Sequence, residues 1–172
     1  MKPSTLCLAL AAGALAAGAA QAQPAPMQVP PAQQHAGATF QKPALSSKGA
    51  QAVLAAAVAE ATKRQWGMSI AVVDESGRLL GFQRTDGAPM GTIDVAQGKA
   101  VTAIKFKMPT SFVQDMVSKG GAAMLTIGGI TAVTGGYPIV VDGQVVGAIG
   151  VSGGLGGEDD ITAKAGLAGL PK

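Results

Sequence analysis

Pro138-Ile139-Val140-Val141-Asp142-Gly143-Gln144-Val145-Val146-Gly147-Ala148-Ile149-Gly150-Val151 is the stretch that decides the fold. Two apolar runs flank Asp142-Gly143, the strongest short hairpin signal in the chain. A two-residue type I′ turn needs positive φ at both central positions, which Asp-Gly tolerates. The spacing predicts strands over 138–141 and 144–151. Upstream, Ile70-Ala71-Val72-Val73 is apolar on both pleat faces and reads as a strand covered on both sides. It predicts a second hairpin, 68–74 with 78–84, turning through Asp74-Glu75-Ser76-Gly77 with glycine in last place. A further strand is expected at 123–127.

Helical patterns lie before, between and after these hairpins. Ser46 is a good N-cap, and Ala50, Val53, Leu54, Ala57, Val58 and Ala61 then recur as one apolar stripe. A second helix is expected over 93–108, with Ile93, Ala96, Ala100, Ile104 and Met108 on one side. After Pro109 a short helix reads to Lys119, stopped by Gly120-Gly121. A last helix is expected over 158–167. Two hairpins make neighbouring strands antiparallel, so the chain reads as α+β, an antiparallel sheet with helices packed on it, and not as a doubly wound fold.

Outside this body the sequence changes character. Met1-Lys2, the apolar run from Leu6 to Ala20, and Ala20-Gln21-Ala22 make a leader with a small-x-small cleavage site, expected to span residues 1–22. Residues 23–43 are Pro, Gln and Ala with hardly a large apolar side chain, and read as a flexible tether. One domain, 44–172, remains, in a protein expected to be exported to the periplasm or beyond. Cys7 falls in the leader, so disulfides and thiolate chemistry are excluded from the mature chain. The 13 Lys and Arg against 10 Asp and Glu leave a weakly basic chain. The basic residues are scattered and aromatics are few, which argues against a nucleic-acid surface. No segment of the body is long and apolar enough to span a membrane.

Several motifs resemble chemistry and lack its other parts. Gly150-Val151-Ser152-Gly153-Gly154 fits a nucleophile elbow, yet the required downstream histidine is missing, since His35 is the only one in the chain. The glycines at 147, 150, 153 and 154 suit a phosphate cradle only superficially. Glu158, Asp159 and Asp160 open the following helix and would repel an anion there. They read as helix N-terminal acids, or as a hard-cation site using Asp159 and Asp160 with backbone oxygens. On the second helix, Lys99, Thr102 and Phe106 form a stripe away from the Ile93/Ala100/Ile104 face. A stripe containing Phe packs against another subunit or lines a ligand surface, the alternative being simple solvated surface.

The set Val72-Val73-Asp74-Glu75-Ser76-Gly77, Arg84-Thr85-Asp86-Gly87-Ala88, Gly98-Lys99-Ala100-Val101-Thr102-Ala103 with Pro109-Thr110, Gly135-Gly136-Tyr137-Pro138-Ile139, Asp142 to Gly154 and Asp159 resembles, in this order, the GlcG/HbpS family. The resemblance implies a profilin-like antiparallel sheet flanked by helices in three α/β/α layers, and assembly into homo-oligomers. It also implies haem as cofactor or ligand, in a family that includes haem-binding and haem-degrading members. Because the body has no histidine, an axial histidine is not carried over. Iron would need Tyr137, a methionine, Lys99 or Thr102, with a propionate met by Lys99 or Arg84. His35 on its tether is a further donor. The competing expectation is a small-molecule-binding or accessory scaffold of the same fold with no haem role.

Overall fold

The computed structural model describes residue 37, residues 40–155 and residues 157–171. The leader, His35 and most of the tether expected from the sequence lie outside the described residues. Residues Gln41–Lys172 make one unit. Helix α1 (Ser47–Lys63) starts where expected, with the Ser46 hydroxyl oxygen accepting the Gly49 N–H at 3.1 Å. This satisfies one of the donors that a helix N-terminus leaves without an intrahelical partner. Strands β1 (Ser69–Asp74) and β2 (Leu79–Arg84) follow, joined by a turn in which Asp74 Oδ1 accepts the N–H groups of Ser76 and Arg78, both at 2.8 Å. Then come α2 (Thr92–Phe106) and α3 (Thr110–Ser118). The chain closes with β3 (Gly136–Val141), β4 (Gln144–Ser152) and α4 (Glu158–Ala168). At the β3–β4 turn Asp142 and Gly143 have φ of +49° and +74°, the left-handed pair that the sequence calls for.

One expected strand is absent. Residues 123–126 belong to a 3-10 turn, Ala122–Thr126, which Ile127 caps and in which the Met124 N–H reaches the Gly121 oxygen at 2.9 Å. A short apolar run has no period long enough to separate strand from helix, and Ala, Met and Leu carry little strand preference. The second helix also stops earlier than expected. Lys107 takes a left-handed conformation, φ +54°, so Met108 lies past the end and Pro109 opens α3.

The four strands lie in the order β2-β1-β4-β3, every neighbouring pair antiparallel. One face carries Ile70, Val72, Ile149 and Val151 against Val53 and Ala57 of α1 and Ala163 of α4. The other carries Ala71, Val73 and Ala148 against Ala96, Ala100 and Ala103 of α2. The result is three layers: α2, the sheet, and the α1–α4 pair. The α2 layer sits unusually close. A Cβ at Gly150 would stand 2.1 Å from the Ala96 oxygen and 2.4 Å from the Ala100 nitrogen, so helix backbone rests on strand backbone. Strand β4 therefore has two distinct ends. Its start, beside Val146, meets the segment just before α1, where the Leu45 N–H donates to the Val146 oxygen. Its end, at Ser152, leads into α4.

Candidate functional site

At the far end of β4, Lys99 and Thr102 are not on an outer face. Both are fully buried, Lys99 at 1% exposure. The Lys99 ammonium donates to the Val151 oxygen at 2.8 Å and to Asp159 Oδ2 at 2.6 Å, while Asp159 Oδ1 accepts the Gly154 N–H at 2.8 Å. The lysine thus reaches from α2 past the sheet end to the first turn of α4. Gly135 leaves room for it: a Cβ there would lie 2.7 Å from Asp159 Cβ and 3.2 Å from Lys99 Nζ. Thr102 is likewise used internally, donating to the Gly98 oxygen at 2.7 Å and accepting the Thr131 N–H at 2.8 Å. The loop containing Thr131 covers α2 at Thr102, and the end of β4 with the start of α4 encloses Lys99, so these two members of the expected outer stripe are interior. Periodicity places residues on a helix face, and it does not show that a later loop folds over that face. Asp159, expected as one half of a hard-cation site, is neutralised by Lys99. Among the described residues no group of three or more metal-ligating side chains occurs.

The other candidates are dispersed. Tyr137 on β3 packs toward α4, with the Lys164 ammonium 5.5 Å from its ring centroid. Burial, and then the Asp160 carboxylate, push its phenol above the usual tyrosine range. Asp160 Oδ1 is a buried oxygen with no hydrogen-bond partner. Arg84 ends β2 on the opposite edge of the sheet, and its Nε and Nη2 both donate to the Ala88 oxygen. Three strand spacings of about 4.8 Å put roughly 14 Å between the two edge strands, so Arg84 and Tyr137 do not converge on one small site. Phe106 is the half-buried last residue of α2.

Two surfaces that no sequence motif marks are more open. Phe112, Leu125, Ile127 and Val133, each roughly half exposed, all fall in the segment after α2, near Lys105, Lys107 and Lys119 in sequence. This segment is tied to α2 where Lys105 Nζ donates to the Gly128 oxygen at 2.8 Å, and to itself where the Thr134 N–H donates to Gln114 Oε1 of α3 at 3.0 Å. Leu125 and Ile127 were legible in the sequence as apolar residues, but the strand expected over 123–127 assigned them to a sheet and hid their exposure. The second surface is a cleft of about 300 Å³ at the near end of β4. Pro43, Leu45, Val141, Val146 and Leu170 line it, with Lys48 at its side. Nothing local in the sequence marks it, because its walls come from both ends of the chain and the middle.

A family model described as haem degrading protein HbpS-like matches residues 45–168. Protein GlcG of Escherichia coli K12 is 42% identical over 108 residues, covering 63% of this chain and 81% of that protein. Among solved structures, a double mutant of Streptomyces reticuli HbpS superposes with a TM-score of 0.77 at 33% identity, covering 84% of this chain and 99% of that one. A PduOC:heme complex superposes with a TM-score of 0.69 at 29% identity, covering 74% and 95%. The four-stranded antiparallel sheet between helical layers is the fold that these relatives share, and the chain belongs to the HbpS-like family.

Proposed function

We propose that this chain binds haem loosely, on the apolar segment that follows α2, rather than through a fixed axial histidine. The observation that carries the proposal is the family match over residues 45–168, together with a relative of the same fold solved as a haem complex. The residues present suit such a role in part. Phe112, Leu125 and Ile127 are exposed apolar side chains of one segment, available to a porphyrin, and Lys105 and Lys107 precede them in sequence for the propionates. Lys99 and Thr102 do not suit it, because their polar atoms are spent inside the fold. No imidazole or thiolate lies between residues 40 and 171. Tyr137 is held in its protonated form by burial and by Asp160, which makes it a poor phenolate donor. The half-buried methionines Met108, Met116 and Met124 in this segment are the remaining soft donors. Bound haem would supply redox chemistry at iron. The chain's own part is to hold the ring on an apolar face and to steer its carboxylates.

Export through a leader cleaved after Ala22, a tether over residues 23–43 and assembly into a homo-oligomer belong to the same reading. The absence of histidine from the body favours a second one, a small-molecule-binding scaffold with no haem role. Titration of the protein with haemin, followed in the Soret region, separates the two. Saturable binding with a shifted Soret band is expected, weakened about tenfold in Phe112→Glu and in Lys107→Glu. A spectrum equal to that of free haemin would leave the scaffold reading. Reductant added to the complex under oxygen then reads ring opening: loss of the Soret band assigns haem degradation to this chain, and its persistence restricts the chain to binding.

A further inference from the structure

The cleft at the near end of β4 has features that the haem reading does not use. Its walls are mainly apolar, from the residues before α1, the β3–β4 hairpin and the stretch after α4. Among the described residues no acidic side chain lines it, and the one charged lining residue is Lys48, an exposed lysine in the first turn of α1. That first turn carries no acid, whereas the first turn of α4 carries three. The first backbone bond of α1 is made by the Ala50 N–H to the Ser46 oxygen, and Ser46 Oγ takes the Gly49 N–H. The N–H groups of Ser47 and Lys48 precede that bond, so the positive end of the helix and the lysine add at one place. A cleft of about 300 Å³ is at the lower bound of ordinary ligand sites. At roughly 30 Å³ per water-sized group it holds about ten non-hydrogen atoms.

We infer that this cleft is a second ligand site, separate from any haem surface, and that it takes a small amphipathic monocarboxylate. The alkyl chain lies on Leu45, Val141, Val146 and Leu170, and the carboxylate meets Lys48 at the start of α1. Octanoate matches the volume and the charge. A neutral alcohol of the same length keeps the apolar contact and forfeits the ion pair, and a dicarboxylate would have to bury a second charge.

The test is titration of the isotopically labelled full-length protein with sodium octanoate, read by amide chemical shifts. Saturable shifts are expected at Ala44–Gly49, Val146 and Leu170, with octanol binding about tenfold more weakly. Lys48→Glu, at an exposed position that the fold does not depend on, is expected to lower octanoate affinity about tenfold. Ala44→Trp, which fills the mouth from an exposed residue, is expected to abolish binding. Shifts that do not saturate, shifts confined to other residues, or an unchanged affinity in Lys48→Glu would each overturn the inference. Competition with haemin separates the two proposals. Octanoate that leaves the Soret titration unchanged supports two independent sites, whereas octanoate that displaces haemin removes the second site. A failed haemin titration beside successful octanoate binding would leave this inference standing.

Discussion

The two ends of β4 place a lysine near the first turn of a helix in opposite ways. At the far end Lys99 is sealed within the fold, its charge matched by Asp159 and its remaining reach used on the Val151 oxygen. At the near end Lys48 stands exposed beside an apolar cleft, in a helix turn without acids. A charge enclosed with its partner serves the architecture, since removing either member strands the other away from water. A charge beside an open apolar wall is available to a ligand. The contrast teaches that the functional weight of a lysine is set by what encloses it, not by the motif it belongs to.

Substitution at the two lysines should give the largest difference. Lys99→Ala leaves Asp159 buried without its cation and is expected to lower stability by about 3–5 kcal/mol, read by urea unfolding. Lys48→Ala, at an exposed position, should stay within about 0.5 kcal/mol of the parent. Equal effects at the two positions would break the comparison.

A smaller loss is expected for Thr102→Val. The Thr131 N–H loses its acceptor, at a cost of about 1–2 kcal/mol, visible as a lower thermal midpoint. A change in haemin affinity with unaltered stability would instead place Thr102 against a ligand.

The smallest effect concerns Tyr137, the single tyrosine of the chain, whose ionisation can be followed by ultraviolet absorbance without ambiguity. Burial and Asp160 raise its phenol above the ordinary value of about 10, so the folded protein holds that proton more tightly than the unfolded chain does. The associated stability is fully present below the unfolded phenol value and is lost as pH rises through the folded one. Asp160→Asn removes the charge contribution and should bring the titration back toward the ordinary range, leaving the burial contribution in place.

Most of the architecture was legible because it rests on local chemistry. The Asp142-Gly143 turn, the Asp74–Gly77 turn, the Ser46 cap and the short unbroken apolar runs of β1 and β4 each act over a few residues, and the two turns impose antiparallel pairing. The strand expected at 123–127 failed where local chemistry is ambiguous. The candidate site was legible only as a set of residue names. Lys99, Thr102, Phe106, Arg84 and Tyr137 read as one haem-facing group, and the fold disperses them between interior, surface and two opposite sheet edges.

The sequence by itself determined the α+β class, the two hairpins and the family, all set by turn chemistry, periodicity and the order of motifs. Only the tertiary structure decided that Lys99 spans the sheet end to Asp159, that the Thr131 loop covers Thr102, and that Leu45, Val141 and Leu170 meet around an open cleft. Burial and ion pairing depend on segments far apart in the chain coming into contact, and helix or strand periodicity carries no information about which distant segment will cover a given face.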